Sequence, residues 1–167
     1  MTDISGSRTY AVPIDAVVAM LRDESYTTAK YEAAGGAQIK IERVDATDDT
    51  LTVVSTRVVT VDLPGFAKKV LKPTNTMRQT DEWTRDANGS WRGTVNVEVQ
   101  GAPVKMQGTM RLEPADGGAA TTETVDIRVE VKVPLVGGKI ADWVAKDEAR
   151  TQLDAELAFN DRWLSEH

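Results

Sequence analysis

Three stretches of the chain alternate apolar and polar residues with a period of two. Trp91, Gly93, Val95, Val97 and Val99 alternate with Arg92, Thr94, Asn96, Glu98 and Gln100. Val104, Met106, Gly108, Met110 and Leu112 repeat the pattern, and so do Val125, Ile127, Val129, Val131 and Val133. Successive strand side chains point to opposite faces, so each stretch predicts an antiparallel strand with one buried and one wet face. Turn chemistry separates them: Asn88-Gly89, whose residues both tolerate positive φ, precedes the first, and Pro114 to Gly118 precedes the third.

Upstream, Arg8 to Val12 reads as a strand, with residues 1–7 as a flexible tail. Pro13 sets φ for a helix opening at Ile14, and a second short helix through Tyr26 to Ala34 closes at Gly35-Gly36. Period-two text then resumes at Ile39 and Ile41, passes a turn at Asp48-Asp49 and a β-branched run from Leu51 to Val61, and breaks at Leu63-Pro64-Gly65. Phe66 to Leu71 reads as a short helix and Thr74 to Arg85 as a strand. After Pro134 and the Gly137-Gly138 pair, Lys139 to Ser165 contains neither Gly nor Pro and predicts one long helix with an Asp142/Lys146 pair on its surface. That helix would span roughly 40 Å, enough to cross a sheet of seven strands about 30 Å wide.

The apolar arc of this helix does not hold its phase. Ile140, Trp143 and Val144 define one side, whereas Leu153, Leu157 and Leu164 lie about half a turn away by the 100° per residue count. Either the helix is wrapped on two sides, or it changes course near Asp147.

Length and composition narrow the class. With 167 residues, 41% of them hydrophobic, one α+β domain over residues 8–166 is expected. The 26 acidic and 20 basic side chains give a net charge of −6, whose average field repels nucleic acid and anionic lipid surfaces. No cysteine is present, which removes disulfides and thiolate sites, and no apolar run approaches the ~18 residues of a membrane span. A cytoplasmic, soluble protein without stable membrane insertion is the expectation; no sequence signal specifies an oligomer.

The element order of strand, two short helices, meander and long C-terminal helix resembles the START-like, polyketide-cyclase-type superfamily with its helix-grip fold. More closely, the chain resembles a domain-of-unknown-function family within it. The residues that carry this are Tyr26, Gly35-Gly36, Leu63-Pro64-Gly65, Glu82-Trp83, the Val133 to Ile140 segment, Phe159 and Trp163. The resemblance implies a curved antiparallel sheet of about seven strands around the long helix, with a cavity between them. It supplies no catalytic motif.

The single histidine, His167, is the last residue and reads as a bystander. Without an internal His or Cys, no metal site, cofactor site or catalytic residue is assigned. The candidate ligand-binding residues are Met77, Gln79, Asp81 and Trp83 on one strand face, Gly93, Val95, Met106, Gly108 and Met110 on the next two strands, and Trp143 on the helix. If Trp83 faces inward, so do Gln79 and Asp81, to orient the polar end of a ligand; the alternative is a strand at a place where the sheet opens to water. Gly93 and Gly108 either leave volume for a ligand or mark bulges that curve the sheet. Lys68, Lys69, Lys72 and Arg78 form the one locally basic region, read as a solvated face, a gate over the pocket, or a weak contact to an anionic surface. Together these features favour a binding protein for a hydrophobic small molecule such as a lipid or polyketide-like compound. A protein-interaction module with a filled core, and a cyclase- or hydratase-type enzyme using an inward carboxylate such as Asp81, are the alternatives.

Overall fold

The period-two stretches are neighbours in one antiparallel sheet in the computed structural model, which describes residues 2–167. The chain runs β1 (Thr2–Tyr10), α1 (Ile14–Arg22), α2 (Glu24–Ala33), β2 (Ala37–Ala46), β3 (Thr50–Thr60), β4 (Thr74–Arg85), β5 (Trp91–Val99), β6 (Val104–Ala115) and β7 (Ala120–Val131). The spatial order is β1-β7-β6-β5-β4-β3-β2, a meander closed at one edge by the first strand. Registers bring the predicted apolar positions opposite one another: Trp91 faces Leu112, Val97 faces Met106, and Met106 in turn faces Val129. One continuous apolar face results, and α1, α2 and the C-terminal helix cover it.

Two local expectations need correction. The residues 2–7 expected as a flexible tail are paired strand, in register from Thr2 opposite Val129 to Tyr10 opposite Thr121. Their own β signal is weak, because one Ile sits among Ser, Gly and Thr; the open edge of β7 supplies the hydrogen bonds that hold them. The 66–71 segment is not a helix beyond one 3₁₀ turn at Gly65–Ala67, and buried Ala67 and Leu71 pin the rest as irregular chain.

The C-terminal helix is one rod wound in two phases. α3 (Gly137–Trp143) passes into a π-helical segment, Val144–Ala149, in which the Arg150 N–H reaches the Ala145 carbonyl, and then into α4 (Arg150–Glu166). A π segment inserts about one residue of winding, or roughly 100° of rotation. This resolves the phase shift: Ile140 and Ala141 in α3 and Val144 and Ala145 at the start of the π segment face inward, and Leu153, Leu157 and Asn160 do so after it. The rod lies so close to β1 that a Cβ on Gly6 would stand 2.8 Å from Leu153 Cδ2. Asp142 accepts a hydrogen bond from the Thr2 hydroxyl, tying the rod to β1, and the expected Asp142/Lys146 pair is not formed.

Candidate functional site

Between the concave face of the sheet and the α2/α4 pair lies a cavity of about 270 Å³. Its floor is apolar. Val95, Val97, Met106 and Met110 come from β5 and β6, Val125 and Ile127 from β7. Eight of the ten candidate residues line it: Met77, Gln79, Asp81, Trp83, Val95, Met106, Met110 and Trp143.

Gly93 and Gly108 do not line the cavity. A Cβ on Gly93 would sit 2.9 Å from the indole of Trp83, its cross-strand partner, so Trp83 occupies the room the glycine leaves. A Cβ on Gly108 would stand 1.9 Å from the Asp126 carbonyl oxygen, so this glycine permits a close approach of β6 and β7 backbone. Both glycines serve close sheet packing, and the registers run without a shift at either, so neither marks a bulge.

One end of the cavity is polar, and two linked groups of residues make it so. Strand alternation carries Gln79 and Asp81 inward beside buried Trp83. The Gln79 amide donates to both carboxylate oxygens of Asp81, at 3.0 and 3.2 Å, and accepts from the Arg57 guanidinium of β3 at 3.1 Å. That guanidinium stacks over the Tyr31 ring at 4.0 Å.

The second group joins four elements. Tyr26 of α2 donates to the side-chain oxygen of Asn160 on α4. The Asn160 amide donates to the Tyr10 hydroxyl of β1 at 3.2 Å and to Oε1 of Glu123 on β7 at 3.3 Å, and Tyr10 donates to the same oxygen at 2.6 Å. Beside them the Lys30 ammonium pairs with Glu156 at 3.3 Å and lies over the rings of Tyr31 and Tyr26, at 4.7 and 5.1 Å. Only 3% of Glu123 is exposed, and its Oε2 accepts from no described residue. That oxygen is not sealed in, since the only sealed side-chain atom without a partner among the described residues is Arg22 Nε; it opens to the cavity.

Burial pushes the Glu123 carboxyl up to about 7, against the opposing pull of the Tyr10 hydrogen bond, with Glu156 adding to the rise and Lys30 and Asn160 opposing it. Burial raises Asp81 likewise, with Lys30, Gln79 and Arg57 working against it and Glu156 with it. For Lys30, burial acts downward, but the negative field of Glu156 and its neighbours outweighs it and holds the ammonium firmly charged. The phenols of Tyr10, Tyr26 and Tyr31 are all raised by burial, so they remain neutral donors. The arrangement offers an apolar slot with, at one end, committed cations and one uncommitted carboxylate oxygen. No cluster of His, Cys, Asp and Glu suited to a metal ion occurs among the described residues.

The sequence reading missed Lys30, Glu123, Glu156 and Asn160, although three of them leave a trace. Glu123 shares the inward parity of Val125 and Ile127, two residues before the run begins to read as apolar. Asn160 falls on the helical stripe of Leu153, Leu157 and Leu164, where a polar residue implies a polar partner. Lys30 stands one turn after Tyr26 on the buried side of α2. Nothing in the spacing pairs Lys30 with Glu156, 126 positions away in the chain.

The family model described as "Protein of unknown function (DUF2505)" matches residues 5–164. The uncharacterized protein Rv0481c of Mycobacterium tuberculosis is 23% identical over 119 residues, 71% of this chain and 68% of that protein. Among solved structures, the Zhui aromatase/cyclase from Streptomyces sp. R1128 superposes with a TM-score of 0.60 at 16% identity, covering 98% of this chain and 93% of the other. The STAR-related lipid transfer protein from Xanthomonas axonopodis also gives 0.60, at 15% identity, over 95% and 85% of the two chains. At such identities the likeness establishes the fold.

Proposed function

For a chain that belongs to the DUF2505 family and carries the START-like helix-grip fold, we propose a role as a binding protein for a hydrophobic small molecule held between the sheet and the C-terminal helix. The observation that carries this reading is an apolar cavity left open beneath the helix and ending in an ordered polar cluster. A core serving only stability gains by closing such a space, since interiors pack to crystal-like density and each void costs contacts. The combination of an apolar body with a few fixed polar groups is what orients an amphiphilic ligand. That a lipid transfer protein shares the fold is consistent with this use, as an analogy between folds.

Titration with the neutral apolar fluorophore N-phenyl-1-naphthylamine tests it, alongside native mass spectrometry of protein purified from its host. One saturable site is expected, lost in Met106→Trp, which fills the cavity from its wall, while the circular dichroism spectrum is retained. A folded protein that binds neither probe nor host molecule overturns the proposal.

A second reading, chemistry on the bound molecule, draws on Glu123. A buried carboxyl titrating near neutrality with one oxygen open to a cavity is suited to giving or taking a proton. Under this reading Glu123→Gln keeps probe binding and abolishes turnover of whatever host compound co-purifies; turnover that survives removes Glu123 from any such role.

A further inference from the structure

The cavity accounts for the interior but not for one feature of the surface. Leu135 is the one large apolar side chain that stands fully exposed among the described residues. Its φ is +70°, a left-handed conformation that leucine adopts at a cost and that glycine adopts freely. The turn around it is held: Val136 N–H bonds to the Pro134 carbonyl at 2.8 Å and Gly137 N–H to the Val133 carbonyl at 3.0 Å. Gly137 lies so near the end of β7 that a Cβ there would stand 2.6 Å from the Val131 carbonyl oxygen. The backbone is thus fixed, and it presents a strained leucine to the outside.

Beside this loop runs the 65–72 segment, anchored from below by Ala67 and Leu71. The two are joined where the Lys139 ammonium lies 4.3 Å over the Phe66 ring. Lys68, Lys69, Lys72 and Lys139 are all exposed, and among the described residues none has a carboxylate within ion-pair distance. Arg78, expected with this basic group, is paired with Glu42 at 3.4 Å and drops out of it. In a chain of net charge −6, four unpaired lysines on these two adjoining segments are a local concentration of positive charge, bordered in the chain by Asp62 and Asp142.

We propose that the 65–72 and 133–139 segments form a docking surface for an anionic lipid bilayer, with Leu135 entering the acyl boundary and the lysines meeting the head-group phosphates. An acidic protein partner would satisfy the lysines, but it would have to cover Leu135 with a matching pocket. A bilayer supplies an apolar medium beneath a negatively charged layer without any such match. The contact is peripheral, and no helix among the described residues is long and apolar enough to cross a membrane. Leu71, within the 65–72 segment, and Trp143, one helical turn past the 133–139 segment, line the cavity, so docking brings that end of the cavity to the lipid. The surface stands on exposure, charge and backbone geometry, and is independent of what the cavity holds.

Co-sedimentation of the full chain with vesicles of phosphatidylcholine alone, or mixed with phosphatidylglycerol, tests this. Binding to the mixed vesicles only is expected, falling with added salt. Each lysine removed weakens it about fivefold, so the pair Lys68→Glu and Lys69→Glu falls at least that far. Leu135→Gly loses about tenfold and at the same time melts no lower than the parent, because glycine relieves the left-handed strain. This separates docking from folding. Failure to bind the mixed vesicles, equal binding to both kinds, or unchanged binding by Leu135→Gly overturns the proposal.

Discussion

The two halves of the C-terminal rod do different work with the same backbone. In the first half, up to the start of the π segment, Ile140, Ala141 and Ala145 are at most 1% exposed and pack against β7 and β1, so this half closes the core. After it, Leu153 and Leu157 still pack, but Asn160 holds Glu123 and Tyr26, Glu156 holds Lys30, and Gln152, Ala155 and Phe159 border the cavity. The π turn makes the division possible: it rotates the second half so that its short inward stripe meets the α2/β7 junction instead of continuing over the sheet. A single sequence segment thus provides both a clamp and a wall, and the wall is the half where polar residues are tolerated inside.

Truncation gives the largest contrast between the halves. Ile140→Ala, in the sealed half, is expected to cost about 4 kcal/mol, whereas Met106→Ala, half-buried opposite the open half, costs about 2 kcal/mol, the low end for such a truncation. Urea unfolding of both variants measures the difference. Equal losses would mean that the second half is packed as tightly as the first.

Titration of the polar end sharpens the comparison next. Glu123 is raised from an ordinary carboxyl to about 7, so the folded state holds a proton that the unfolded state has released. Its contribution to stability is present below about pH 4.5 and is lost as the pH climbs to about 7 and beyond. The groups facing it are Tyr10 on β1, Tyr26 and Lys30 on α2, and Glu156 and Asn160 on α4, and Asp81 titrates in the same direction. Glu123→Gln keeps an acceptor for Tyr10 without the charge. It is expected to melt as the parent does at pH 5 and to be more stable at pH 8, by up to about 3 kcal/mol. A pH-independent difference between the two proteins would remove the charged carboxylate from the account.

Smaller again is Lys30→Met. The ammonium is almost wholly buried but its partner Glu156 is a third exposed, so water recovers part of the lost pairing; a cost of about 2 kcal/mol follows. Lys30 also draws the Glu123 carboxyl downward, so in this variant the carboxyl should titrate at a higher pH. A carbon-13 NMR titration of the glutamate carboxyls reads that displacement directly, and no displacement would separate the ion pair from the Tyr10–Asn160–Glu123 cluster.

Much of the architecture was legible in local text. The alternation over residues 91–99, 104–112 and 125–133, the Asn88-Gly89 turn and the uninterrupted stretch after Gly138 each specify an element through short-range sterics and burial, and the strands β5, β6 and β7 follow. The phase slip between Ile140 and Leu153 located the irregularity near Asp147, where the structure has the π segment. Inward parity also carried Gln79, Asp81 and Trp83 to the cavity. Less visible was whatever depends on a partner far away in the chain. The Thr2–Tyr10 strand exists because β7 offers an open edge. Gly108 reads the same whether it lines a hole or lets two backbones touch, and only the position of the Asp126 carbonyl decides.

The sequence by itself determined which faces are apolar, where the chain turns and what kind of fold encloses them, because those depend on neighbours within a few residues. The tertiary structure alone decided which polar groups meet inside. Lys30 with Glu156, and Glu123 with Tyr10, Tyr26 and Asn160, are brought together by the closing of the sheet on the helix. Their energies come from shared burial, which no single segment carries.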